Sequence, residues 1–434
     1  MDKESIQKII LDYQTKYVED ITPRYLKIDF IPYMAAGITG VRRCGKTFRT
    51  HQLAEELASK GLRENICRIQ FNDHRLISIP STELHLIDSA YYALFPEKRN
   101  SEEVYFIFDE IHRIKGWEDY ILYLIESKFH KVIITGSTAT LQRGEYASAL
   151  RGKLFPYELS PFSFGEFLRH YKIKESMKTT KECDLLLNNI KKYIEQGGFP
   201  GLFDIPENRH SEMLRTYWDT MILRDIIESH PEDNINVQLL RFFADSLVAR
   251  IACPMTVNKL SENIQNAGLS FGKDTLYKFL AYLSDAYMIF PVEIYSASEK
   301  VRSKNYKKIY CADWALARAV SYAESIDDTR AFENLIYLEL KRRGYAINYY
   351  KTREEHEVDF VISKKGRIEG LLQACYSLDK SEVKNREFRA LVKSAQFLKT
   401  DNLSVITVDN EGVEVIDGLK INIYSAWKWL LKKY

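Results

Sequence analysis

The clearest chemistry in the chain lies in eight consecutive residues. Gly40-Val41-Arg42-Arg43-Cys44-Gly45-Lys46-Thr47 spells GxxxxGK[ST], with an apolar run before it and a helical pattern after it. The two glycines let backbone N–H groups curl around phosphate oxygens without a side chain in the way. The following helix start adds partial positive charge. Lys46 would reach the β and γ phosphates, and the Thr47 hydroxyl would ligate Mg²⁺. All eight residues are therefore expected to line a nucleotide. A second piece lies about sixty residues downstream, where the apolar run Val104–Phe108 ends in Asp109-Glu110. Buried carboxylates are costly without a partner, so two acids at the end of such a strand ask for a reason. Beside a phosphate loop they have one: Asp109 in the Mg²⁺ shell, and Glu110 as the base that activates the attacking water. A third piece is Thr135-Gly136-Ser137-Thr138, where Ser137 would touch the γ-phosphate or that water. A fourth is Arg151-Gly152-Lys153. A basic residue here, Arg151 or Lys153, could stabilise transition-state charge on a neighbouring subunit's nucleotide, which would require a homo-oligomer.

The elements that must position these residues alternate as in a parallel α/β sheet. Strands are expected at Tyr33–Ile38, Cys67–Phe71, Val104–Phe108 and Lys131–Thr135, with a helix over Thr47–Leu57. After Pro161 the pattern turns helical and is punctuated by Gly197-Gly198-Phe199-Pro200-Gly201. Two helices around Ala267-Gly268, a β-prone Pro291–Tyr295, a basic stretch and the strand Lys308–Cys311 follow the winged-helix order. The last third reads as a small α/β domain. Its helix is Arg330–Arg343, and its strands are Ala346–Lys351, Glu357–Ser363, Gly370–Cys375 and Ser404–Val408, with a helix over Glu382–Leu398. Boundaries near Pro161 and Ser325 give three domains, 1–160, 161–325 and 326–434.

Composition narrows the function classes. Lys and Arg number 62 and Asp and Glu 60, a formal charge of +2, so no global field draws the chain to nucleic acid or an anionic membrane. Any basic site must be local. No apolar run approaches the ~18 residues that span a bilayer, so no membrane partner is expected. The opening MDKESIQKII lacks the pattern of a secretory leader. The six cysteines form no CxxC pair, which argues against a disulfide framework and for a reducing cytoplasm. One local basic site does exist. Lys300, Arg302, Lys304, Lys307 and Lys308 fall within nine positions where a wing would lie, with Lys273 and Lys278 on the preceding helix. They are candidate contacts to double-stranded DNA phosphates. A winged helix also serves as a protein contact, so a protein partner stands beside DNA.

The motifs together resemble a known family, the bacterial and archaeal AAA-type ATPases that carry a C-terminal domain of unknown function. The matching stretches are ITGVRRCGKT (38–47), FIFDEIHRI (106–114), IITGSTATL (133–141), LRGKLFPYELSPFSFGEFL (150–168), GGFPG (197–201), RDII (224–227), FENLIYLELKRRGY (332–345) and EVDFVI (357–362). The resemblance implies an AAA-like P-loop domain, a winged-helix segment and a small restriction-endonuclease-like α/β domain. The sequence departs from the family where His112 replaces a frequent Gln and Lys153 a frequent Arg; lysine is a weaker substitute for a bidentate guanidinium, which leaves Arg151 as the better candidate for stabilising transition-state charge. A restriction-type centre needs an acid on a helix, an Asp on a strand and Glu-x-Lys on the next. Glu333 and Asp359 fit, but Gln373-Ala374-Cys375 stands where Glu-x-Lys belongs, with Lys380 the nearest replacement. A retained fold without a working nuclease centre is the expectation.

The leading reading is Mg²⁺-dependent ATP binding and hydrolysis driving a switch or motor that acts on nucleic acid or a protein. The alternatives are a nucleotide-gated regulator with slow hydrolysis and, behind it, a DNA nuclease with an atypical centre. No GTP base-recognition signature is present, so ATP is the expected nucleotide.

Overall fold

The computed structural model describes residues 2–16, 18, 20–76, 79–136, 150–304, 306–321, 326–352, 354 and 356–432. The chain forms two units, 1–160 and 161–434.

The first unit is built on a parallel sheet in the order β2-β3-β4-β1-β5. Its strands are β1 (Ala35–Thr39), β2 (Ile66–Gln70), β3 (Val104–Asp109), β4 (His130–Thr135) and β5 (Leu154–Glu158). The expected strand over Tyr33–Ile38 starts later, because Tyr33 takes a left-handed φ of 62° that extended backbone excludes. All six residues of β3 are buried, as a strand covered on both faces requires. One covering layer contains α1 (Lys3–Thr15), whose Ile6, Ile9, Ile10 and Tyr13 repeat at helical spacing and enter the core with Phe106 and Phe108. Removing each such side chain from water contributes about 1.5–3 kcal/mol. Helix α2 (Lys46–Ala58) follows β1, α3 (His85–Leu94) precedes β3, and α4 (Glu118–Leu124) precedes β4. In a parallel sheet the carboxyl ends of β1, β3 and β4 lie on one rim, and the candidate site residues follow those strands.

The second unit opens with α5 (Phe164–His170), α6 (Thr180–Gln196) and α7 (His210–Met221). Then come α8 (Val237–Val248), β6 (Pro254–Met255), α9 (Val257–Asn266), α10 (Lys273–Asp285), β7 (Ile289–Val292), α11 (Glu299–Lys304) and β8 (Lys307–Cys311). The strands pair antiparallel in the order β6-β8-β7. The basic stretch expected as a loop between strands thus contains a short helix. Helix α12 (Trp314–Val320) is capped by Asp313. Helix α13 (Asp328–Arg342) leads into a six-stranded sheet ordered β13-β14-β12-β11-β10-β9. These strands are β9 (Ala346–Lys351), β10 (Glu357–Lys364), β11 (Arg367–Ala374), β12 (Leu403–Thr407), β13 (Gly412–Ile416) and β14 (Leu419–Ser425). Helix α14 (Ser381–Leu398) packs Phe388, Leu391 and Ala395 onto it, and α15 (Ala426–Leu431) ends the order.

Gly197 and Gly198, two of the motif residues after α6, have a local cause. The Asp313 carboxylate accepts hydrogen bonds from the N–H groups of Gly198 (2.6 Å), Ala315 (2.9 Å) and Leu316 (3.1 Å). Gly197 has φ 79°, and a Cβ there would lie 2.4 Å from the same carboxylate. The glycine pair leaves room for a buried acid that caps a helix.

Candidate nucleotide site

The loop between β1 and α2 has the conformation that its residue types ask for. Gly40 has φ 136°, and a Cβ on it would lie 2.0 Å from the Leu159 carbonyl. Only glycine fits where the ends of β1 and β5 approach. Gly45 stands at φ 101° as the residue before α2, so the chain turns into the helix with its first N–H groups facing the loop. Lys46 is buried, and its Nζ donates to the carbonyls of Gly40 (2.7 Å) and Val41 (3.3 Å). The ammonium is therefore folded over the space the loop encloses, where phosphate oxygens would replace those carbonyls.

Asp109, the last residue of β3, is fully buried. Its Oδ1 accepts from the Thr135 hydroxyl at 2.5 Å and its Oδ2 from Gln70 Nε2 at 3.0 Å. Glu110 follows in the left-handed region at φ 59°, and its N–H donates to the Thr135 hydroxyl at 3.0 Å. One hydroxyl on β4 thus orients the carboxylate of Asp109 and the backbone of Glu110. Burial raises the Glu110 carboxyl above its ordinary range, the nearby Lys46 ammonium opposes that shift, and the Asp109 charge adds to it. His112 Nε2 lies 3.6 Å from Glu110 Oε2. The donor set fits a hard cation: a fixed carboxylate at Asp109 and a hydroxyl at Thr47 are oxygen ligands of the kind Mg²⁺ prefers.

Sequence reasoning missed several residues around this set. Arg24 is buried and donates from Nη1 to Cys44 O (2.7 Å) and from Nη2 to Ser160 O (2.6 Å), tying the loop to the strand exit. The Thr135–Thr138 stretch is marked in the sequence, but the bridging role of Thr135, like that of Gln70, is legible only through strand order: Gln70 sits across from Asp109 in the β2–β3 register. Arg68, also fully buried, donates from Nη2 to Thr50 at 3.3 Å and lies over the Tyr13 ring. Burial pushes the neighbouring His51 down to about 4, so its imidazole is neutral. Cys44, inside the loop, is buried, and its thiol is pushed up accordingly.

The structure brings Lys46, Asp109 and Glu110 to one rim. It does not bring Arg151 there. Arg151 precedes β5, and Leu154 at the start of β5 pairs with Ala35 at the start of β1, at the opposite end of the sheet from the loop. The expectation that Ser137 contacts phosphate falls outside the described residues, as do the side chains of Lys273 and Lys304.

The expected DNA-binding stretch requires a correction. Lys308 is not a surface residue: its side chain is 1% exposed, and its Nζ donates to Glu333 and Asp359, both at 2.9 Å. An ammonium enclosed by carboxylates cannot reach a phosphate backbone. Lys307 pairs with Glu293 at 3.0 Å, and Arg302 lies 3.9 Å from the same acid while donating to Ser296 O. The expected lack of lysine charge beside Glu333 and Asp359 is corrected by the same contact. Lys308 supplies it from β8, whereas Lys380 is exposed.

Three stretches of the chain match known family models. Residues 33–168 match the model of an AAA domain, residues 187–327 a domain of unknown function (DUF8612), and residues 329–425 a further domain of unknown function (DUF4143). The chain is 32% identical over 446 residues to the uncharacterized protein MJ1544 of Methanocaldococcus jannaschii, covering 99% of this chain and 96% of that protein. An uncharacterized protein of Haemophilus influenzae is 29% identical over 338 residues, 76% of this chain and 80% of that one. Among solved structures, a Walker-type ATPase of Pyrococcus abyssi aligns over 74% of this chain and 95% of its own, with 16% identity and a TM-score of 0.41. No helix among the described residues is long and apolar enough to cross a membrane.

Proposed function

Because the chain belongs to the family of archaeal and bacterial proteins that join an AAA domain to a C-terminal DUF4143 domain, we propose that it hydrolyses ATP with Mg²⁺ and uses the reaction as a switch. ATP binding follows from the AAA domain itself. The observation that carries hydrolysis is the Thr135 bridge, which fixes an acid for the metal and the backbone of a second acid for the water. Mg²⁺, held by Thr47 and Asp109, would neutralise the charge that develops on the phosphates. Loop N–H groups and Lys46 hold and orient the β and γ phosphates. Thr47 and Asp109 place the metal shell. Glu110 takes a proton from water, and burial of its carboxyl brings its pKa nearer to working pH, which suits a general base.

Glu110 also favours this reading over a regulator that merely binds nucleotide, for which a buried base is superfluous. The partner we carry forward is a protein. With Lys308 enclosed and Lys307 and Arg302 turned to Glu293, the basic stretch offers DNA less charge than its sequence promised. The helix–strand–helix–helix–hairpin order from α8 to β8 supports a winged helix serving such a contact. Arg151, remote from its own loop, suits action on a neighbouring subunit in a homo-oligomer.

The test is phosphate release from ATP by wild type, Lys46→Ala and Glu110→Gln, with and without double-stranded DNA. Lys46→Ala should lose nucleotide binding. Glu110→Gln should bind ATP yet turn over about 10²–10⁴-fold more slowly. Turnover by Glu110→Gln within threefold of wild type would refute the assigned chemistry. A strong DNA stimulation would overturn the choice of a protein partner.

A further inference from the structure

Arg68, in the middle of β2, is a buried cation that the assigned chemistry leaves without a role. The residue is 1% exposed. Its Nε and Nη1 have no hydrogen-bond partner among the described residues, and its Nη2 donates to the Thr50 hydroxyl at 3.3 Å, a long bond. The Tyr13 ring of α1 covers it, 5.3 Å from the guanidinium carbon. A guanidinium taken out of water with two orphaned N–H groups is costly, and stability alone does not ask for one here.

Its place in the sheet suggests what the charge acts on. Arg68 stands two residues before Gln70, so both side chains leave the same face of β2. In the β2–β3 register Arg68 is paired with Ile107 and Gln70 with Asp109, and Gln70 Nε2 donates to Asp109 Oδ2 at 3.0 Å. On α2, the Thr50 hydroxyl that accepts from Arg68 donates in turn to the Thr47 carbonyl at 2.7 Å. Arg68 is thus one strand pair from Asp109 and one hydroxyl from the backbone of Thr47. Two residues of strand span ~7 Å, over which charges inside a protein still act on one another. Burial pulls the guanidinium below its ordinary value, and the Asp109 charge opposes that fall. Burial and then the Arg68 charge push His51 down.

We propose that Arg68 makes binding of the divalent ion conditional on nucleotide: its enclosed charge offsets that of Asp109 and keeps a cation from settling at Asp109 and Thr47 until phosphates arrive. The inference rests on the reading of those two residues as the metal shell. A divalent ion arriving alone meets the Arg68 charge as well as the Asp109 carboxylate. One that arrives with nucleotide brings phosphate charge that outweighs the guanidinium. Arg68 touches neither metal nor substrate in this scheme; it sets the potential at the residues that do.

The test titrates Mn²⁺ against the full chain freed of nucleotide, following the loss of the free ion's electron-spin-resonance signal, with circular dichroism checking the fold. Wild type, Arg68→Met, Thr50→Val, and Arg68→Met combined with Asp109→Asn are compared. Arg68→Met should bind one Mn²⁺ at least about fivefold more tightly than wild type, and the added Asp109→Asn should abolish that gain. Thr50→Val keeps the guanidinium and loses only its hydroxyl partner, so it should bind Mn²⁺ as wild type does. A folded Arg68→Met with wild-type or weaker Mn²⁺ affinity would overturn the proposal. So would a gain that Thr50→Val reproduces, because geometry and not charge would then be responsible. Should Arg68→Met fail to fold, Arg68→Gln is read by the same criterion; if neither folds, the guanidinium is structural and the proposal is wrong. The ATP reading fails separately, if wild type binds no fluorescent ATP analogue in Mg²⁺, and the Mn²⁺ comparison still decides the role of Arg68.

Discussion

Thr135→Val is the sharpest probe of how the nucleotide site is assembled. Valine keeps the branched shape and the strand preference of threonine, so the change removes a hydroxyl and little else. That hydroxyl donates to Asp109 Oδ1 at 2.5 Å and accepts the Glu110 N–H at 3.0 Å, with Thr135 and Asp109 fully buried. Losing a hydrogen bond to an ionised acceptor costs about 1.5–3 kcal/mol, and orphaning a buried donor about 1–3 kcal/mol. Gln70 still holds the other Asp109 oxygen, so the two costs overlap, and a net loss of about 3 kcal/mol is expected. For a unit of this size that lowers Tm by about 6–12 °C. Calorimetry should show the fall in the transition of residues 1–160, and the Mg²⁺ concentration for half-maximal ATP turnover should rise. Thr135→Ser, which keeps the hydroxyl, should recover most of both. A loss under 0.5 kcal/mol, or a serine variant as impaired as the valine one, would show that the bridge does not organise the site.

Two further outcomes are expected. Burial pushes the Asp313 carboxyl up to about 6, against an ordinary value near 3.8, so the folded state holds its proton more tightly than the unfolded one. The stability this contributes is complete below pH ~4 and is lost as pH rises through ~6, a span worth about 3 kcal/mol; in Asp313→Asn, urea unfolding between these pH values should lose that slope. Mixing Arg151→Ala with Glu110→Gln should restore ATP turnover that neither has alone, because each subunit then supplies what its neighbour lacks; an inactive mixture would remove Arg151 from the chemistry.

The nucleotide site was legible where its residues are contiguous. The loop's pattern is written within eight consecutive positions, although part of what demands Gly40, the Leu159 carbonyl, lies far along the chain. Asp109-Glu110 was legible because a wholly apolar strand ending in two acids violates the usual pattern of burial. The bridging roles of Thr135 and Gln70 were not, although Thr135 opens a stretch the sequence singles out, because those roles depend on β4 and β2 flanking β3. Local spacing does not encode which strands are neighbours. Arg24 lies outside any helix or strand, so no periodicity marks it. The C-terminal hairpin β13–β14 was also unread, since exposed Val413 and Val415 alternate with half-buried residues and leave only a weak apolar signal.

Lys308 shows the same limit from the opposite side. A run of basic residues is read as a solvated surface because an unpaired buried ammonium is prohibitive, and that inference is sound for the run alone. What reverses it stands 25 residues away at Glu333 and 51 away at Asp359. The apparent loss at Gln373-Ala374-Cys375 is the complementary half of the same fact. Reading along one strand finds no lysine two positions after Gln373, yet an ammonium reaches Asp359 from β8, a strand of a different sheet. A charge that seemed surplus in one segment and a charge that seemed missing in another are one side chain. Neither segment can be interpreted without the other, and substituting Lys308 alone should leave the carboxylates of Glu333 and Asp359 uncompensated in the interior.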